Sequence, residues 1–131
     1  MNIILNIDNI DINSIIFYKP VTNKDKKYDK FYKILYNCNL YTINNIIINI
    51  PIFEIDFVDN KYRLNHKYRK KIKNMEYNIL NKLNLFHKYR LILNLSTNHL
   101  QIKNNQLVYL KIYGIWNNKN DIGLIYKYLT Y

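Results

Sequence analysis

Hydrophobic and polar residues alternate with a period of two along most of the chain, and over one stretch the period lengthens to three or four. The first alternating run covers residues 10–19 and ends at Pro20, whose missing N–H cannot extend a strand ladder. Residues 21–30 are polar and charged and are expected to form a loop. A second run, residues 31–36, passes through a turn at 37–39 into a third at about 40–50, which Asn44 and Asn45 interrupt. Short β-prone runs separated by turn residues predict an antiparallel meander. Asn suits these turns because it tolerates left-handed backbone conformations.

From about His66 the period changes: Ile72, Met75, Ile79, Leu80, Leu83 and Phe86 recur at three- and four-residue spacing. This predicts one amphipathic helix whose apolar stripe packs on the sheet. Cations at residues 67–73 would oppose the dipole at its N-terminus, so this segment is expected to be a basic loop running into the helix. The last third returns to strands at 91–95, 106–116 and 122–129, with a turn at 117–121. In its hairpin Val108, Leu110 and Ile112 fall on one side, and Tyr109, Lys111 and Tyr113 on the other. The pattern describes a mainly β protein with one helix, organised as a single domain over residues 1–131.

Composition sharpens this picture. Asn and Ile each occur 23 times, Lys 17 times and Tyr 14 times, while Ala is absent and Gly and Pro occur twice each. Such usage follows codons rich in A and T, as in a compact AT-rich virus or plasmid. The same bias raises Lys without selection, so the net charge of +11 is informative mainly through its distribution. Residues 61–90 hold ten of the 20 Lys and Arg against one acid, Glu76, so that most of the excess is local. A basic segment of this kind attracts phosphate chains or anionic lipid. The longest Ile-rich stretch, residues 46–52, is broken by Asn49 and Pro51 and falls far short of a membrane helix. With the lone Cys38 and no signal-peptide pattern, a soluble cytoplasmic protein is expected.

No catalytic constellation stands out. His66, His87 and His99 are far apart, there is no zinc-ligand spacing, and no Gly-rich phosphate loop occurs. Glu54, Asp56 and Asp59 form the only acidic cluster; at alternate positions Glu54 and Asp56 would share a strand face, and a solvated edge is favoured over a metal site. No enzyme activity, metal or cofactor is expected. Binding asks for less: a single strand needs cations along its backbone and aromatic faces for its bases. Tyr109, Lys111 and Tyr113 offer both at two-residue spacing, and Phe31, Tyr32, Lys33 and Tyr36 form a second group. Arg63, Lys67, Arg69, Lys70 and Lys71 supply the charge, with Trp116 and Lys127 on the hairpin.

That hairpin carries a resemblance. Gly114-Ile115-Trp116, then six residues, then Gly123-Leu124-Ile125-Tyr126-Lys127 looks like the closing motif of a family of small proteins in large nucleocytoplasmic DNA viruses. Asp11-Ile12-Asn13-Ser14-Ile15-Ile16-Phe17 leading to Lys19-Pro20, with Leu40-Tyr41-Thr42 after the strand ending at Tyr36, is similar to its opening. The family resembles T7-type single-stranded DNA-binding proteins, and the AT bias makes this chain most similar to the version on yeast linear cytoplasmic killer plasmids. The resemblance implies an OB-fold-like five-stranded antiparallel barrel that coats single-stranded DNA during replication, with replication DNA polymerase as a candidate partner and self-association left open. T7-type proteins end in an acidic tail with a terminal aromatic, whereas this chain closes on Tyr126-Lys127-Tyr128-Leu129-Thr130-Tyr131, so tail-mediated recruitment is not carried over. Two other readings fit the charge: a duplex-DNA or RNA-binding accessory factor, and a structural or assembly protein of a viral particle. Both glycines lie within ten residues of one hairpin, which points to a bulge or a close backbone approach there.

Overall fold

β-Branched and aromatic residues put about half of the described chain into strands, and one 18-residue helix adds its apolar stripe to the core. The computed structural model describes residues 3–22, 30–84, 88–97, 100–102 and 107–131. The strands run in order β1 (Ile4–Leu5), β2 (Ile15–Phe17), β3 (Val21–Thr22), β4 (Lys30–Asn37), β5 (Thr42–Asn44), β6 (Ile46–Ile50), β7 (Ile55–Val58), β8 (Lys61–Leu64), β9 (Arg90–Ile92), β10 (Val108–Asn117) and β11 (Asp121–Thr130). The helix, α1 (His66–Leu83), lies between β8 and β9. Nine strands form one sheet, and β7 pairs only with β8 among the described residues.

The sheet is organised by β10. One edge pairs with β11 along its length. The other edge changes partner midway: residues 108–112 pair with β6, and residues 114–117 with β4. The exchange falls at a β-bulge at Tyr113, where the register with β11 shifts between Ile112 and Gly114. A matching bend lies across from it. Asn45, with φ of 68°, turns the chain so that β5 stays on β4 while β6 crosses to β10. The interruption expected at Asn44 and Asn45 is therefore a corner of the sheet.

β1 and β9 end the main strand path and do not pair with each other, so the described strands do not close into a barrel. The expected mainly β fold with one helix holds. Instead of a five-stranded barrel, the described chain forms a bent sheet covered on one face.

Residues on one face of the sheet make the core. Ile46, Ile48 and Ile50 of β6, Val108, Leu110, Ile112 and Ile115 of β10, and Ile122 and Leu124 of β11 are buried with Tyr68, Ile72, Met75, Ile79 and Leu80 of α1. Period two in the strands thus meets period 3.6 in the helix. The Tyr68 hydroxyl donates to Asn49 O at 3.3 Å. Glu76, with no exposed surface, accepts from the N–H groups of Asn94 and Leu95 at 3.3 and 3.4 Å. The Tyr128 hydroxyl, cross-strand from Leu110, donates to Leu95 O at 2.8 Å. The turn after β9 is therefore held from both the helix and the sheet.

Two local expectations are corrected. Residues 67–73 are not a basic loop, because α1 begins at His66, where the Asn65 side chain accepts from Tyr68 N at 2.8 Å. That cap satisfies an end N–H and offsets the unfavourable charge near the helix start. Residues 10–19 are also not one strand. Two 3-10 turns, Ile7–Asn9 and Ile12–Ser14, precede β2, capped by the side chains of Asn6 and Asp11. Phe86, His87, His99, Gln106 and residues 23–29 of the expected loop lie outside the described residues.

Candidate nucleic-acid interface

Because α1 covers the Leu110 and Tyr128 side of the sheet, the alternate residues of β10 and β11 point away from it. Tyr109, Lys111, Lys127 and Leu129 occupy this outward face, as the sequence alternation predicts for β10. Lys111 and Lys127 are direct cross-strand neighbours. Like charges so placed are destabilising by themselves, and an anion laid over them removes the penalty. The Lys111 ammonium sits 4.9 Å from the centre of the Tyr113 ring, a cation–π distance that joins charge and aromatic surface. The Tyr109 ring rests against that of Tyr131, with 5.7 Å between centres.

Past the bulge the outward face continues through Gly114 and Trp116, whose cross-strand partners on β4 are Lys33 and Phe31. Here the glycines find their use. Neither has a positive φ. Each instead makes room. A Cβ on Gly114 would strike the Tyr32 carbonyl oxygen and lie 2.8 Å from Phe31 Cε2. One on Gly123 would lie 2.7 Å from Trp116 Cε2 and Cζ2. The rings of Phe31 and Trp116 are seated on bare backbone, an arrangement that only glycine permits.

Where β6 and β4 diverge along β10, the sheet opens into a cleft of about 640 Å³. Tyr18, Phe31 and Tyr113 supply aromatic walls, Lys19 and Lys33 supply cations, and Asn44 and Asn45 lie at the corner. No acidic residue is among the described residues that line it. Tyr18 is fixed there by its N–H donating to Lys33 O at 2.9 Å and its hydroxyl donating to Asn44 Oδ1 at 3.3 Å. Tyr18 was not a candidate from sequence. Its placement depends on β2 and the residues after it returning along β4, which no local spacing encodes.

The second sequence group is divided by the pleat. Phe31 and Lys33 face outward, whereas Tyr32 opposes Ile115 and packs on the core. Tyr36 is 2% exposed, and its hydroxyl accepts from Asp11 N at 3.0 Å, so its ring is not available for stacking.

The basic segment is divided as well. Lys71 pairs with Asp8 at 3.1 Å, Arg90 with Asp121 at 2.9 Å, and Lys82 donates to the carbonyl oxygens of Ile12 and Ile15. Arg69 is half-buried. Lys67, Lys70 and Lys73 remain as an exposed stripe on the outer side of α1, with the sheet between them and the Tyr109 face. Arg63 is exposed on β8, cross-strand from Asp56. The structure therefore does not bring the helix cations and the sheet aromatics together.

Among the described residues no group of three or more His, Cys, Asp or Glu is placed to hold a metal. Glu54 lies in a 3-10 turn before β7, where its carboxylate accepts from Asn65 Nδ2 at 2.6 Å, so it does not share a strand face with Asp56. No described helix is long and apolar enough to cross a membrane. No family model, curated protein or solved structure matches the chain.

Proposed function

We propose that the chain is a sequence-tolerant single-stranded DNA-binding protein that lays the strand along the outward sheet face and into the corner cleft. An aromatic and cationic cleft with no acid among its described lining residues, beside the facing lysines Lys111 and Lys127, supports this reading. Phosphates lie along Lys19, Lys33, Lys111 and Lys127, and bases stack on Phe31, Tyr113 and Tyr18. Stacking on such rings contributes about 1–3 kcal/mol per base and tolerates any base. Coating of displaced strands during replication in the cytoplasm is the setting that this reading gives the protein.

The test is fluorescence anisotropy with oligonucleotides of equal length, single-stranded and duplex, over a range of salt. The single strand binds more tightly, and log K falls with log salt at a slope of about −3, as four phosphate contacts at about −0.7 each require. Equal or tighter binding of the duplex would overturn the proposal.

A further inference from the structure

The corner cleft offers polar groups as well as stacking surface. Its volume of about 640 Å³ falls among pockets that take small molecules, about 300–1,000 Å³. Two of its ring walls are fixed in place. Phe31 lies against the bare Gly114 backbone, and Tyr18 is tied by its N–H to Lys33 O and by its hydroxyl to Asn44 Oδ1. A base lodged between such rings leaves the strand's own stack, and its edge then meets the polar groups of the cleft.

Most of those groups donate. The Lys19 and Lys33 ammonium groups have no acceptor atom. The Asn44 amide oxygen already accepts from the Tyr18 hydroxyl at 3.3 Å, so Asn44, at an exposed position, offers chiefly its NH2 group. The main-chain oxygens of Lys33 and Ile34 are likewise taken, by the N–H groups of Tyr18 at 2.9 Å and Asn45 at 3.1 Å. No carboxylate is among the described lining residues. The Asn45 amide adds another NH2 and one oxygen. With the lysines left for phosphates, the amides present two donor groups against one acceptor.

Base edges differ in the same inventory. On the edge used in Watson–Crick pairing, thymine and cytosine each present a pair of acceptors and one donor group. Adenine presents one acceptor and one donor group, and guanine one acceptor and a pair of donors. The pyrimidine edge is the complement of the amide pair.

We infer that the cleft reads the edge of one base and selects pyrimidines, with the NH2 groups of Asn44 and Asn45 donating to the acceptor pair and the Asn45 oxygen accepting from the donor. The inference rests on the single-strand reading and deepens it: the strand is held without regard to sequence along Lys111 and Lys127, and one base is read at the corner.

Fluorescence anisotropy on the full chain with oligo(dT), oligo(dC) and oligo(dA) of equal length tests it. The native protein binds oligo(dT) and oligo(dC) about fivefold more tightly than oligo(dA), as one hydrogen bond gained requires. Asn44→Leu removes the donor and the preference with it. Asn44→Asp keeps an oxygen for Tyr18 but turns the NH2 into an acceptor, and it also abolishes the preference; the ratio is read because the added charge weakens all three strands. Equal affinity of the native protein for the three strands overturns the inference and leaves the single-strand reading standing. A pyrimidine preference that both Asn44 variants retain comes from strand flexibility, not from the cleft, and overturns it as well. Absence of binding to every strand defeats the single-strand reading itself, and the inference falls with it.

Discussion

Glu76 couples the fold to pH. Its carboxyl is fully buried against the core side of α1, and burial raises its pKa from about 4.5 to about 7 despite the two backbone N–H groups it accepts. The neighbouring Lys73 ammonium acts in the opposite sense and does not offset burial. A carboxyl with a raised folded-state pKa keeps its proton in the native state where the unfolded chain has lost it. Its contribution to stability is therefore complete below about pH 4.5 and is lost as pH rises through about 7. That difference corresponds to about 3 kcal/mol, most of which falls between pH 5 and pH 8. Glu76→Gln removes the titration while keeping one carbonyl acceptor for the Asn94 and Leu95 turn. Urea denaturation at pH 5 and pH 8 is the assay. The native chain loses about 2–3 kcal/mol more than Glu76→Gln over that interval. Parallel losses in the two proteins would refute this account of Glu76.

Two further substitutions test the backbone devices. Gly123→Ala places a Cβ 2.7 Å from the Trp116 indole and forces the ring off its seat. It is expected to cost about 1–3 kcal/mol in urea denaturation and to red-shift the fluorescence of the only tryptophan. Asn45→Val puts a β-branched residue at φ of 68° and costs about 1–2 kcal/mol, whereas Asn45→Gly is tolerated; thermal melts of both distinguish a backbone role from a side-chain role.

Much of the fold was legible because the alternation is local. The runs over β4, β6, β10 and β11 are read directly from period two, and the apolar stripe of α1 from period 3.6. What failed depended on partners distant in sequence. Capping by Asn65 carried the helix through a basic segment that dipole considerations had assigned to a loop. The hairpin at Asp59 and Asn60 was hidden because its strands are short and only partly apolar. The candidate site was legible as one face of β10. Its continuation through Phe31 and Lys33, its loss of Tyr32 and Tyr36 to the core, and its gain of Tyr18 all follow from β4 pairing, which spacing does not encode. The glycine pair was noticed from its position in the hairpin. Its physical reason, the seating of Phe31 and Trp116, required the register.

In the proposed binding mode the outward sheet face, not the basic helix, holds the single strand. Anisotropy titrations of a fluorescent single-stranded oligonucleotide decide it with two variants on opposite sides of the sheet. Tyr113→Ala with Lys111→Gln removes one stacking ring and one phosphate contact and weakens binding about tenfold or more, from about 1–3 kcal/mol for the ring. Lys67→Glu with Lys70→Glu, on the far face, leaves the affinity of one bound copy on a short strand within a few-fold of native. Loss of binding in the helix variant with retention in the sheet variant would contradict the account.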